Sequence, residues 1–205
     1  MLIVTSRSEQ PVDPTTDRIL DAAYQQLLDF GLRRASVEDI ARRAGVARIT
    51  IYRRYPNKDE LVRAVLLREG QRVFRQVDAV VAPIDDLDEQ LVEGFTAIWD
   101  ATRSHPLLHR LLETESDLTV PSLTVHGGPV VAFGREYLAG HLERAQAQGR
   151  LHHFDPRSVA EVLVRLTLSF LLTPESVIPL GTDDEARRFA RHFLLPAMHH
   201  QENPA

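Results

Sequence analysis

Cysteine is absent from all 205 residues, so disulfides, thiolate metal sites and cysteine nucleophiles are excluded. Long apolar runs are absent as well. No segment approaches the roughly 18 apolar residues needed to cross a bilayer, and no membrane association is expected. The start, MLIVTSRSEQPVDP, has a short apolar patch without a cationic stretch before it, which argues against a signal peptide. A cytoplasmic protein is the expectation. The alternating apolar and polar pattern of half-buried strands is missing, and so are short internal repeats. The chain therefore reads as all-α.

Catalytic signatures are missing too. There is no G-x-S-x-G elbow, no P-loop and no H-E-x-x-H. His126-Gly127-Gly128 resembles an oxyanion loop but has no nucleophile to serve. The His152-His153 and His199-His200 pairs, with Asp155 nearby, are the nearest approach to a metal site. Adjacent residues on a helix point in different directions, so a solvated surface or a fraying end accounts for them better. No catalytic residue, metal or cofactor is expected, and the chain does not read as an enzyme.

What is present is an uneven charge. The formal net charge is -5, yet Thr16 to Arg75 holds 13 Lys and Arg against 8 Asp and Glu. From Gln76 to Ala205 the balance reverses, 10 against 19. A basic head thus sits on an acidic body, and contact with a polyanion should be confined to the head. The charge concentrates in IARRAGVARITIYRRYPNK, Ile40 to Lys58, where Arg42, Arg43, Arg48, Arg53, Arg54 and Lys58 stand without one acidic residue. A solvated helix face would mix the signs. A positive stripe on two short helices is what docking on a phosphate backbone requires.

The head reads as helix, helix, tight turn, helix. Residues 1–15 form a loose arm with Pro11 and Pro14, and 16–62 the head. A first helix is expected from Asp17 to Phe30, where Ile19, Ala22, Ala23, Leu27 and Phe30 make an apolar stripe and Gly31 supplies the stop. Ser36 opens a second helix with Asp39 approximating a capping box, and Gly45 ends it in left-handed geometry. Val46 and Ile51 return to the core, a third helix spans about 47–54, and Pro56 stops it. Asn57 caps a fourth helix. A cation at Lys58 opposes that helix dipole, which is indifferent at an exposed site or useful if the helix start and Lys58 jointly grip a phosphate.

Asp17 to Leu66 resembles the DNA-binding domain of TetR-family transcriptional repressors. The resemblance rests on RILDAAYQQLLDFG and SVEDIARRAGVARITIYRRYPNKDELVRAVL, with the Ile51-Tyr52 pair, Tyr55-Pro56 and Lys58 at the spacing of that family. It covers about a quarter of the chain. It implies that Arg48, Ile49 and Thr50 open the recognition helix and reach base edges, while Tyr52, Arg54 and Lys58 hold phosphates. Ser36 and Arg53 complete the candidate DNA-contacting set. Arg54 stands where a histidine is common, Ala47 where a capping serine is usual and Ile49 where glycine is frequent. Ile49 either packs on a thymine methyl or lies on the helix surface touching nothing.

The remainder, 63–205, is expected to be an effector-binding and dimerisation domain, giving about nine helices in all. The fourth helix runs to about Val80, a fifth from Asp88 to Thr102 and a short sixth from Leu107 to Glu115. A loop with Pro121 precedes a seventh, Val130 to Gln148; an eighth follows Pro156 to Leu172, and Asp183 caps a ninth ending near Met198. The resemblance implies a homodimer through the last two helices, with Val159, Val162, Leu163, Leu166, Phe170, Phe189, Phe193, Leu194 and Ala197 at the interface. It also implies an effector pocket. Phe74, Phe95, Trp99, His105, Phe133, Tyr137 and His141 are the candidates to line it, although each alone reads equally as core packing. Little charge stands among them, so the effector should be small and mostly apolar. The function expected is a ligand-responsive repressor on a palindromic duplex operator. An activator of the same fold would use the same residues, whereas a sensor without DNA binding would not need the basic window.

Overall fold

A computed structural model describes residues 13–199, with the side chains of Ala197 and His199 left outside the description. Among these residues every regular element is helical, and none is long and apolar enough to cross a membrane. Two compact units are present, residues 1–69 and 70–205. The expected boundary after residue 62 falls inside a helix, α4, Lys58–Val81.

In the first unit α1 is Pro14–Arg34, three residues earlier at its start than expected. Asp13 caps it, accepting from Thr15 N at 3.1 Å, and Pro14 takes the first turn, where its missing N–H costs nothing. Of the expected loose arm, residues 1–12 lie outside the description, while Asp13 to Thr15 belong to this helix start. Gly31 interrupts α1 with φ 78°, so the helix proper ends at Phe30 and a last turn follows at a new angle. Ser36 caps α2, Val37–Ala44, by accepting from Asp39 N at 3.1 Å. Gly45 then adopts φ 64°, and the N–H of Val46 closes on Ala41 O at 3.0 Å. This glycine closure turns the chain within one residue into α3, Arg48–Tyr52. The third helix is shorter than expected: Arg53 and Arg54 lie in the turn after it, and Tyr55 N donates back to Ile51 O at 2.8 Å. Ile19, Leu27, Ile40, Ile51, Leu61 and Val65 are fully enclosed and form the core of this unit.

The second unit contains the rest of α4 and α5, Leu87–Arg103; α6, Pro106–Thr114; α7, Ser116–Leu123; α8, Gly128–Ala147; and α9, Pro156–Leu172. A final helical stretch is α10, Asp183–Phe189, a π-turn at Ala190–Leu194, and α11, Leu195–His199. Helix α7 occupies the expected loop and contains Pro121. The buried hydroxyl of Thr119 donates to Leu111 O and Glu115 O, which ties this turn to the end of α6. Thr182, not Asp183, caps α10, in a reciprocal box with Glu185. The π-turn also has a local cause. Pro196 cannot donate to the carbonyl of His192 and its ring would press on it, and one extra residue in the preceding turn relieves that conflict.

Helices α8 and α9 pack closely because Gly134 faces Val164: a Cβ there would lie 2.9 Å from a Val164 methyl. An Arg135–Glu161 ion pair at 2.9 Å crosses the same seam. Gly140 on the same helix would meet only the flexible tip of Arg144. Gly140→Ala should therefore stabilise the protein by about 0.5–1 kcal/mol through helix propensity. Gly134→Ala should lose that gain and fall below the parent. Urea midpoints with unchanged slopes would verify the contrast.

Candidate nucleic-acid interface and ligand cavity

Helices α2 and α3 and the Gly45 turn present one exposed edge. Ile49 is 73% exposed, and Arg48 and Arg53 lie in solvent beside it. Arg48 is preorganised: its guanidinium sits 5.1 Å from the Tyr52 ring centroid, donates to the Tyr52 hydroxyl at 3.2 Å and pairs with Glu38 on α2. Thr50 is half-buried and its backbone N–H closes on Ala47 O at 2.8 Å. Ala47 makes no side-chain cap, as its methyl dictates.

Three members of the candidate set make structural contacts within the head. Ser36 Oγ both accepts from Asp39 N and donates to Asp39 Oδ2 at 2.6 Å, so its hydroxyl is fully engaged as a cap. Arg54 reaches Thr16 Oγ1 at 3.3 Å, Thr50 O at 3.4 Å and the Asp13 carboxylate. That contact holds the Asp13 carboxyl below the usual carboxylate range. Arg54 thereby fastens the start of α1 to the end of α3. Lys58 donates to Leu32 O and to Arg33 O at 3.4 Å. Those carbonyls belong to the last turn of α1, where backbone acceptors lack helical partners. The ammonium at the start of α4 is thus explained by a neighbouring helix end, not by its own.

The basic window also differs from its linear reading. Folding brings acids from outside it: Asp39 to Arg42 at 2.9 Å, Asp29 to Arg43 at 2.7 Å, Glu38 to Arg48 and Asp13 to Arg54. Among the described residues Arg53 makes no ion pair. These pairs are exposed, and such bridges contribute roughly 0–1 kcal/mol, so a phosphate can replace a carboxylate at little cost.

In the second unit a cavity of about 440 Å³ lies between α5, α6, the end of α9 and the segment 173–181. Of the seven pocket candidates only Trp99 lines it. Phe74, Phe133 and Tyr137 instead stack on one another, with centroids 4.9 and 3.8 Å apart, and His141 meets Tyr137 edge-on. Asp78 accepts from the Tyr137 hydroxyl at 2.7 Å and lies 3.0 Å from His141 Nε2. Burial, then Arg144, pushes His141 below the usual imidazole value against the pull of Asp78. Burial, then the Asp78 hydrogen bond, pushes the Tyr137 phenol up. Phe95 packs on Phe189 at 5.4 Å, and His105 caps α6 through Leu108 N at 3.4 Å. Leu112, Phe170 and Ile178 line the cavity and were missed, since apolar residues carry no polar signal that separates a wall from a core.

The interface candidates divide in the same way. Val162 and Phe193 are 57% and 52% exposed; Val159, Leu163 and Leu166 are half-buried. Phe189 and Leu194 are buried, and Phe170 packs edge-on against Trp99 and Phe189, so these three face the unit's own core. Ala197's side chain lies outside the description. Among the described residues no group of histidines and acids could hold a metal ion; His200 and the side chain of His199 lie outside them.

A helix-turn-helix with an exposed basic edge, joined to a larger helical unit, defines a DNA-binding transcriptional regulator. The sequence profile of "Bacterial regulatory proteins, tetR family" matches residues 19–65, and that of "Bacterial Tetracyclin repressor, C-terminal domain" matches 86–191. An HTH-type transcriptional regulator of Mycobacterium tuberculosis is 32% identical over 164 residues, 80% of this chain and 83% of the relative. The regulator AlkX of the same species is 26% identical over 178 residues, 85% of this chain and 81% of its own. Among solved structures, the TetR family repressor AlkX from Dietzia sp., implicated in n-alkane biodegradation, superposes with TM-score 0.65 at 20% identity, covering 89% of this chain and 94% of that one. The fatty acid degradation regulator FadR from Bacillus halodurans gives 0.61 at 19% identity, covering 91% and 99%. The chain belongs to the TetR family of bacterial transcriptional regulators, which are not enzymes.

Because Lys58 serves the end of α1, Lys58→Met should destabilise the protein by about 1–2 kcal/mol. Urea unfolding in the absence of DNA reads this directly; an unchanged midpoint would return Lys58 to a phosphate-binding role alone.

Proposed function

We propose that the protein is a repressor that binds an inverted-repeat operator as a homodimer and leaves it when a small, mostly apolar molecule occupies the second unit. The observation that carries the DNA reading is the exposed row of Arg48 and Ile49 on a recognition helix whose other side is locked by buried Ile51, with Arg53 in the turn after it. In this reading Arg48 and Ile49 face base edges. Arg53 and Tyr52 approach phosphates, and Arg54 and Lys58 hold the helices that present them. A twofold dimer would set two such helices on successive major grooves, about 34 Å apart. Two structural neighbours, a repressor implicated in n-alkane biodegradation and a fatty acid degradation regulator, support an effector with an aliphatic chain.

Binding-site selection from random duplexes should enrich a palindrome. If about 6 phosphates are neutralised per dimer, the log–log salt slope should be about -5. Arg48→Ala should relax preference at particular positions, by about 1–3 kcal/mol if it contacts guanine in bidentate fashion, while Arg53→Ala should weaken all duplexes alike. A flat salt response, or no enriched palindrome, would refute DNA recognition of this kind.

Val162 and Phe193 are the outward apolar residues of the last helices and support pairing through that face. The particle should scatter light as about twice the 23.2 kDa chain. Val162→Glu with Phe193→Glu should halve that mass while preserving helical content; a monomer in the parent protein at micromolar concentration would rule out the pairing.

A further inference from the structure

We propose that the cavity between Trp99 and the 173–181 segment is a binding site for an uncharged, mainly apolar small molecule, and that it rejects anions. This deepens the effector reading above and depends on it only for its regulatory meaning. The volume, about 440 Å³, is within the roughly 300–1,000 Å³ of small-molecule sites. Trp99, Leu112, Phe170, Leu171 and Ile178 supply an apolar wall.

The arginine of the lining is already matched by carboxylates, and the exposed Glu113 adds only negative charge. Arg103 is held by Asp100 at 2.6 Å and Asp183 at 3.3 Å, and its Nε is sealed away where no ligand reaches it. His109 Nδ1 lies 3.4 Å from Glu113. The neutral polar groups are engaged as well. Trp99 Nε1 donates to Leu180 O at 2.8 Å, and the Thr102 hydroxyl donates to Ile98 O at 2.7 Å. Ser176 Oγ accepts from Ile178 N at 3.0 Å, which leaves its hydroxyl hydrogen to meet one acceptor on a ligand. An entering anion would shed water, find no free counter-charge and meet the Glu113 carboxylate, whereas an alkyl chain or an alcohol meets a wall that suits it.

Trp99 is the single tryptophan of the chain and reports on the site without a label. The intact protein should be titrated with n-octanol, with octanoate well above its carboxyl pKa, and with octylammonium. Octanol should change Trp99 emission saturably, and octanoate should bind at least about tenfold more weakly, as expected when a charge has no partner. No saturable response to octanol, or octanoate that binds as tightly, would overturn the proposal. Leu112→Glu puts a carboxylate into the wall; it should lose octanol and gain octylammonium, an inversion that mere misfolding cannot produce. A folded Leu112→Glu protein that keeps octanol unchanged would also overturn it, and the ligand comparison on the parent stands if the variant fails to fold. Operator binding without ligand is measured separately. Intact DNA binding with no octanol response defeats the site alone, and an octanol response without DNA binding defeats the repressor alone.

Discussion

Burial of Ile51 is the contact on which the DNA-reading edge depends. Helix α3 has five residues, and isolated helices shorter than about 12–15 residues are marginal in water. It lacks a side-chain cap as well, because Ala47 stands at that position. What keeps it helical is therefore tertiary. Ile51 is 1% exposed in the core of this unit, and the left-handed Gly45 turns the chain into α3. With Ile51 inside, the helical period carries Arg48, Ile49 and Arg53 around to solvent. Arg54 and Lys58 then brace the arrangement from its far end, one on the start of α1 and the other on its last carbonyls. Two cations that stand in the basic window along the chain are also braces in three dimensions.

The head was legible because its signals are local. Capping residues, a left-handed glycine and a proline stop act within a few residues, so Ser36, Gly45 and Asn57 stand where their chemistry places them. The charge of the head was only half legible. A window free of acids stayed free of them only along the chain; Asp29 and Asp13 reach it through contacts 14 and 41 residues apart in sequence. Sequence spacing cannot register such pairs. It also could not separate a cation that faces solvent, Arg53, from a cation that faces a helix end, Lys58.

In the body the helices were legible and their faces were not. Long apolar periodicity located α4, α5, α8 and α9 to within two residues or so at each end, but Pro121 hid α7, since a proline inside a short polar stretch reads as a loop. Aromatic residues carry no mark of which cluster they join. Phe74 and Tyr137 sit stacked with an acidic partner, Asp78, while Phe95 joins the core around Phe189. Only Trp99 of the expected set reaches the cavity, because the remaining wall is built by ordinary leucines and by a segment outside any helix.

That segment links the two proposed properties of the body. Trp99 holds it through the carbonyl of Leu180, and two residues later Thr182 and Glu185 close the capping box that begins α10. Arg103, one turn along α5 from Trp99, pairs with Asp183 in the first turn of α10. The cavity wall and the start of α10 are thus fastened to the same stretch of α5. Beyond that start, Phe189 is buried against Phe95 of α5, and Phe193 points outward within the π-turn. A molecule seated against Trp99 would press on the 173–181 wall, and the stiff piece next to that wall is the helix proposed to meet a second chain. Linkage then demands reciprocity: if occupancy of the cavity alters pairing by some factor, pairing alters affinity for the molecule by the same factor. Short bonds to α5 at both ends of the turn are what would let so small a displacement reach Phe193 without being absorbed on the way.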